Sequence, residues 1–240
     1  MAMMPFLAMT AGEIRNISRF PTKVAWMACH FSPYGRGLSN LPTDLPPASV
    51  LVLDDVTPPR GHDPQQIADQ LICCAEAFQC CGVILDFQRA DSAETAALTA
   101  DLVQLIPLPI AVTEAYVPED RRCAVLLSPI PPSLSPEEHL SPWTDRDVWL
   151  ELSQEGEILT LTEQGCRTEI LQAPTQQSSG FADGALHCHY AVETRETSAR
   201  FTLWRTEADM LELVGHVHRL GVVQTVGLYQ ELGKIPSFFS

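Results

Sequence analysis

Apolar residues in the first half of the chain form short continuous runs with helical patterns between them. The runs are KVAWMACHF (23–31), SVLVLDD (49–55), GVILDFQ (82–88), LPIAVTEAYV (108–117) and CAVLLSPI (123–130). Continuous apolar centres are typical of strands that helices cover on both faces. Asp63-Pro64 predicts the start of a helix that runs to about Gln79, and Ser92 predicts the start of another. This alternation indicates parallel βα units.

The pattern changes at Asp147. The segment DVWLELSQEGEILTLTEQGCRTEIL (147–171) alternates apolar and polar residues and contains Gly-bearing turns. A second alternating segment, ALHCHYAVETRETSARFTLWRT (185–206), reads as a hairpin. Such alternation predicts antiparallel strands with one solvent-exposed face. After them, TEADMLELVGHVHRLG predicts a helix, and VVQTVGLYQEL (222–232) predicts a last buried strand.

Together these elements predict an α/β fold, a TIM-like (β/α) barrel, formed by residues 23–232. An antiparallel β insertion at 147–205 interrupts the barrel in its C-terminal third, and residues 1–22 form an N-terminal extension. The prediction counts seven barrel strands, six of which are the runs quoted above, and it leaves the eighth either missing or hidden in the Pro-rich loops.

Charge restricts the classes of partner. Thirty acidic and fifteen basic side chains give a formal net charge of -15. Such a field repels phosphate backbones and anionic lipids, so we expect neither a nucleic-acid partner nor a membrane partner. The apolar start lacks a basic region, which disfavours a secretory signal and favours a cytoplasmic protein.

The cysteine and histidine patterns do not favour a metal site. The eight cysteines include two adjacent pairs but no CxxC motif, and we interpret them as reduced, mostly buried thiols. His187 and His189 would share one face of a strand and could bind zinc with a third ligand. A half-exposed surface pair is the simpler interpretation. We therefore predict no metal and no cofactor.

Polar residues follow the predicted strands at the edge where barrel enzymes place their chemistry. Carboxylates that meet there raise one another's pKa, which can produce a general acid. The alternative is that they are solvated rim residues or helix caps. Candidates for catalysis are Asp86, Glu114 and Glu231. The predicted ligand-binding residues are Asp54, Asp55, Asp86, Gln88, Glu114, Tyr116, Tyr229 and Gln230.

One of these strands resembles a known active-site strand. CCGVILDFQ resembles a degenerate form of the glycoside hydrolase family 18 pattern D-x-x-D-x-D-x-E, often written GIDIDWE. Cys81 and Ile84 take the first two acidic positions, Asp86 keeps the third, and Gln88 replaces the glutamate. The C-terminal segment from Leu186 to Gly233 resembles the spore-wall peptidoglycan hydrolases of the same family, with Tyr229 near the family's terminal-strand tryptophan.

The resemblance implies a specific chemistry and a specific defect. Family 18 enzymes use one glutamic acid to protonate the leaving oxygen while the substrate's N-acetyl group attacks. Gln88 cannot donate that proton, because its amide has no accessible acidic form. We therefore expect a non-catalytic barrel that binds a glycan or another small ligand, or that serves as a scaffold.

Two alternatives remain open. In the first, the protein is an active hydrolase that uses Glu114 or Glu231 as acid, with Asp86 as helper. In the second, the antiparallel insertion at 147–205 binds a protein partner and the barrel is only its support. Fold-level analogy does not separate these functions.

Overall fold

The structure is a computed structural model, and it describes residues 4–34, 37–89, 92–119, 122–172 and 180–239. Its strands, in chain order, are β1 (Phe6–Met9), β2 (Val24–Phe31), β3 (Leu38–Ser39), β4 (Val50–Asp54), β5 (Gly82–Asp86), β6 (Ile110–Thr113), β7 (Ala124–Leu127), β8 (Val148–Leu152), β9 (Gly156–Thr162), β10 (Gly165–Leu171), β11 (Phe181–Asp183), β12 (Cys188–Arg195), β13 (Ser198–Trp204) and β14 (Val222–Leu228). Its helices are α1 (Ala11–Asn16), α2 (Pro64–Phe78), α3 (Ala93–Leu105), α4 (Pro136–Leu140), α5 (Glu207–Arg219), α6 (Tyr229–Leu232) and α7 (Pro236–Phe239).

Eight of these strands close into a barrel in the order β1-β14-β8-β7-β6-β5-β4-β2, with β1 and β2 completing the ring. The pairs from β2 to β4 and onward to β8 are parallel, as are the pairs that β1 makes with β14 and β2. The short β3 adds an antiparallel pairing to β2. The predicted (β/α) barrel and its final parallel strand are thus confirmed.

Two barrel strands differ from the sequence prediction. Phe6–Met9 is the first barrel strand, although residues 1–22 were expected to form an extension. Val148–Leu152 pairs in parallel with β7, although its alternating pattern assigned it to the antiparallel insertion. These two strands complete the ring. The Pro-rich loops contain no barrel strand within the described residues.

Contacts divide the described chain into two compact units. One unit comprises residues 4–128, 145–151 and 222–239, and it contains the barrel. The other comprises residues 129–144 and 152–221. Its sheet is antiparallel, in the order β10-β9-β13-β12-β11, and α5 belongs to the same unit. The predicted antiparallel insertion is confirmed, but its sheet begins at Gly156.

Local sequence explains the helix boundaries. The Asp63 side chain accepts a hydrogen bond from the backbone N–H of Gln65 at the start of α2, and Gln79 ends this helix in the left-handed conformation. Ser92 caps α3 in the same way through Thr95. Both predicted starts are confirmed. No helix in the described part of the chain is long and apolar enough to span a bilayer.

Aromatic side chains fill the lower interior of the barrel. The rings of Phe6 and Trp149 stack with centroids 6.1 Å apart, and the Lys23 ammonium lies 4.8 Å from the Phe6 ring centroid. Gly82 leaves room for this layer, because a Cβ there would lie 2.9 Å from the Pro109 carbonyl oxygen and 3.3 Å from the Trp149 ring. The interior core consists of Phe6, Ala8, Ala25, Val50, Val52, Ile84, Ala111, Ala124, Leu126, Trp149 and Val226.

The segment after β5 is held by hydrogen bonds to neighbouring strands. The two carboxylate oxygens of Asp55 accept hydrogen bonds from the backbone N–H groups of Gln88 and Arg89, each at 3.0 Å. The Arg89 side chain donates to the carbonyl oxygens of Asp55 and Val56, and the Tyr116 hydroxyl donates to the carbonyl oxygen of Arg89. Asp55 therefore holds the backbone of Gln88 in place.

The side chain of Thr113, at the end of β6, adds a second attachment. Its hydroxyl donates to the Phe87 carbonyl oxygen at 3.0 Å and accepts the Phe87 N–H at 3.3 Å. Phe87 is fully buried and packs its ring edge-on against Tyr116. Phe87 thus points away from the barrel axis, and the residues on either side of it point toward the axis.

We predict that Asp55→Asn destabilises the fold by about 1–3 kcal/mol. The substitution replaces one of the two buried carboxylate oxygens, which accept hydrogen bonds, by an NH2 group, and this donor would face a backbone N–H. Urea unfolding of the purified variant measures this loss. Asp44→Asn, a change of the same type at an exposed position, serves as control and should stay within about 0.5 kcal/mol of wild type. Equal unfolding midpoints for Asp55→Asn and wild type would show that the Asp55 bonds do not stabilise the barrel.

Candidate functional site

Strand alternation brings four polar side chains to one layer of the barrel interior. Val52, Ile84, Leu126 and Trp149 belong to the interior core. Side chains two residues further along a strand point to the same side. The residues at those positions are Asp54, Asp86, Ser128 and Glu151. They form the last inward layer before the strands end, where barrel proteins bind ligands.

Asp54 and Asp86 stand side by side, because their Cα atoms are register partners in the parallel pair β4–β5. They have different partners. A carboxylate oxygen of Asp54 lies 2.7 Å from Nδ1 of His30. The Gln88 side-chain amide donates to Asp86 Oδ1 at 2.6 Å. Each of these two carboxylates therefore has its own polar neighbour at the mouth of the barrel.

A small cavity opens beside Gln88. Its volume is about 140 Å³, and its walls combine apolar and polar side chains. The lining residues are Phe87, Gln88, Thr113, Glu114, Ala115, Leu126, Ser128 and Glu151. A larger hollow of about 530 Å³ lies along α2, and none of its lining residues belongs to a barrel strand. The cavity beside Gln88 is the candidate site because its polar groups converge at the end of the barrel where chemistry is expected.

Burial changes the protonation of two carboxyls at this mouth. Burial raises the pKa of Asp86, the charges of Asp54 and Asp55 raise it further, and the Gln88 hydrogen bond opposes the shift. Burial also raises the pKa of Glu151, from its ordinary 4.5 to about 7, with the charge of Asp86 as the second cause. Glu151 therefore exchanges its proton near neutrality.

Sequence reasoning missed Glu151. It stands in the alternating segment VWLEL, which predicted a half-exposed antiparallel strand. Because β8 is a barrel strand, Trp149 and Glu151 face the interior instead. One signal was present in the sequence: the run Val148–Leu152 has the length and apolar content of the other barrel strands and follows a helical segment.

The predicted site residues separate into three groups. Asp54, Asp86, Gln88 and Glu114 lie at the mouth, where Glu114 is exposed and lines the cavity. Asp55 and Tyr116 are buried and engage the backbone after β5, as described above. Tyr229, Gln230 and Glu231 lie on α6, outside the lining of this cavity.

Tyr229 lines a different hollow. This second pocket has a volume of about 350 Å³ and includes Thr10, Glu13, Asn16 and Ile17 from the start of the chain. Helix α6 begins at Tyr229, so the chain has left the barrel wall at this residue. The residues that β14 was expected to supply to one shared mouth are thus not in contact with the Gln88 cavity.

The histidines of the antiparallel unit do not form the expected surface pair. His187 precedes β12, is buried, and has a φ of 48°, which is the left-handed region. Its Nε2 lies 2.6 Å from Nδ1 of His216, whereas Nδ1 of His189 lies 2.8 Å from Asp209. Among the described residues, no group of three or more His, Cys, Asp or Glu side chains could hold a metal ion. The absence of a metal requirement stays a prediction.

Comparison with known proteins identifies the fold. The sequence matches no family model and no curated protein. The structure resembles the Bacillus cereus spore cortex-lytic enzyme SleL, with a TM-score of 0.58, 10% identity, and coverage of 99% of this chain and 74% of that chain.

Two further solved structures show the same similarity. A chitinase from Chromobacterium violaceum gives a TM-score of 0.56 at 11% identity, with 93% of each chain covered. A doubly substituted family 18 chitinase from Cycas revoluta, solved with (GlcNAc)4, gives a TM-score of 0.56 at 10% identity, with 93% of this chain and 94% of that chain covered. The chain therefore has the barrel fold of the family 18 chitinases and of this spore cortex-lytic enzyme.

Proposed function

We propose that the protein binds an N-acetylated sugar at the barrel mouth and does not hydrolyse it. The observation that carries this proposal is Gln88. It stands at the cavity wall, on a backbone fixed by Asp55, and its side-chain amide donates to Asp86 at 2.6 Å. These contacts support a barrel of the family 18 type with an amide where the resemblance places the acid.

The chemical argument is direct. Hydrolysis requires a proton on the leaving oxygen, and a positioned acid contributes roughly 10²–10⁴-fold to the rate. An amide lacks this proton but keeps a carbonyl oxygen and N–H groups that hydrogen-bond a sugar. A chitinase from Cycas revoluta with a glutamate-to-glutamine change as one of its two substitutions has been solved with (GlcNAc)4. That complex supports binding by a barrel of this fold in which a glutamine has replaced a glutamate.

Size and charge restrict the ligand. A cavity of about 140 Å³ is close to the roughly 150 Å³ that holds a benzene-sized molecule. It accommodates one acetamido group or part of one sugar ring. Its lining contains Glu114 and Glu151 but no Lys or Arg, and the chain carries a formal charge of -15. These charges disfavour phosphorylated and acidic sugars and favour neutral ones.

We predict that the wild-type protein releases no product from chitin-type or peptidoglycan-type oligosaccharides above buffer, and that Gln88→Glu creates activity. The substitution restores the acid at unchanged side-chain length, and the expected gain is roughly 10²–10⁴-fold over wild type. Chromatography of the products measures it. Gln66→Glu, the same change on the exposed face of α2, is the matched control and should stay inactive.

The opposite result would be hydrolysis by the wild-type protein. It would favour the active-hydrolase alternative and direct attention to the carboxyl groups that line the cavity, Glu114 and Glu151. Glu231, the other acid considered from the sequence, lies on α6, outside that lining.

We further predict that Asp86→Ala weakens binding of (GlcNAc)n oligomers by about 10–100-fold, since it removes a charged acceptor at the mouth. Isothermal titration calorimetry measures the dissociation constant. Asp44→Ala, at an exposed position, should leave it unchanged. Equal affinities for Asp86→Ala and wild type would place the sugar elsewhere.

A second candidate function is that of a protein-interaction scaffold, and an apolar sheet face favours it. In the antiparallel sheet, Val192, Phe201 and Leu159 are successive cross-strand partners, so their side chains share one face. Leu161, Ile170 and Phe181 are 42%, 69% and 64% exposed. Exposed apolar surface of this kind often marks an interaction site. This candidate becomes the leading one if no N-acetylated sugar binds the wild-type protein at any pH.

A further inference from the structure

Glu151 is a cavity residue whose carboxyl group is available to a bound ligand. It lines the cavity beside Gln88, it is half-buried, and its position after Trp149 directs it to the barrel interior. Within the described residues, no hydrogen bond or ion pair to Glu151 is formed. Asp86 differs in this respect, because the Gln88 amide donates to it.

The charged groups around Glu151 are all acidic on the cavity side. Asp86 faces it from β5, and Glu114, which follows β6, lines the same cavity. Asp54 of β4, with His30 of β2, lies beyond Asp86 in the same mouth. The segments of β7, β14 and β1 carry no titratable side chain. No described cation lines the cavity to hold Glu151 in its charged form.

A carboxyl group in these surroundings keeps its proton at a pH where exposed carboxyls have lost theirs, consistent with its pKa of about 7. When protonated, it has an O–H to donate; when ionised, it only accepts. The other acidic groups of the mouth offer acceptors. The protonated Glu151 therefore provides a donor that a carbonyl or hydroxyl oxygen requires.

We propose that Glu151 is a specificity-determining residue of the mouth: in its protonated form it donates a hydrogen bond to a neutral oxygen acceptor of the bound sugar, such as an acetamido carbonyl. This inference rests on the proposed function and deepens it. It makes binding dependent on pH, and it selects N-acetylated sugars over amino sugars with a free, protonated amine.

The test is calorimetric titration of wild-type protein with (GlcNAc)n oligomers at about pH 6 and about pH 8. With the pKa of Glu151 about 7, the protonated fraction falls about tenfold between these two values, so affinity should fall about tenfold. A protonated amino sugar would show the opposite sign, because it binds the ionised carboxylate better. Affinity that is constant, or that rises with pH, would overturn the inference.

Three variants separate this role from a structural one. Glu151→Gln keeps a donor at all pH values, so binding should persist and lose its pH dependence. Asp86→Asn removes the neighbouring charge and should move the midpoint of the pH dependence to lower pH. Glu76→Gln, an exposed position on α2, is the matched control and should keep the wild-type profile.

A measurement without sugar keeps the inference testable if binding fails. Because the folded pKa is raised, the contribution of Glu151 to stability is fully present below the unfolded value of 4.5 and is lost as pH rises toward about 7. Glu151→Gln should therefore raise the melting temperature relative to wild type at about pH 8 and much less at about pH 4. An equal shift at both values would refute a protonated Glu151. Absence of sugar binding at every pH would refute the proposed function and, with it, the role of Glu151 toward a sugar.

Discussion

Closure of the barrel is the constraint on which the site depends. In a closed ring of parallel strands, the residue two positions beyond an interior apolar side chain also points inward. This rule places Asp54, Asp86, Ser128 and Glu151 in one layer above a core that contains Trp149 and Leu126. Each strand fixes the inward direction of its own Cα–Cβ bond, so these acidic side chains share one layer.

The consequences are electrostatic. Carboxyls that share a half-buried mouth without a cation disfavour one another's ionisation, and each needs a polar partner or a proton. Asp54 lies beside His30 and Asp86 accepts a hydrogen bond from the Gln88 amide, whereas burial and the charge of Asp86 raise the pKa of Glu151 to about 7. Gln88 thus stabilises the mouth through its hydrogen bond to Asp86, and it stands where the resemblance to family 18 places an acid. A restored glutamate at this position would add a further acidic group to the same layer.

Much of the fold could be predicted from sequence, and the exceptions have physical causes. Continuous apolar runs indicated β2 and β4 to β7 because both faces of those strands are covered. Phe6–Met9 was missed because it is four residues long and follows an apolar start without a polar boundary. Val148–Leu152 was assigned to the wrong sheet because Glu151 makes the strand alternate, although it faces the interior. The sequence placed Asp54 and Asp86 at the ends of correctly recognised strands, and it missed Glu151 because β8 was not recognised as a barrel strand.

The most direct measurement is a crystal structure of the wild-type protein with a (GlcNAc)n oligomer at about pH 6. Our account predicts an intact sugar at the mouth, with one oxygen within hydrogen-bonding distance of the Glu151 carboxyl and with Gln88 still bonded to Asp86. A cleaved sugar, or an oligomer bound away from Gln88 and Glu151, would contradict it.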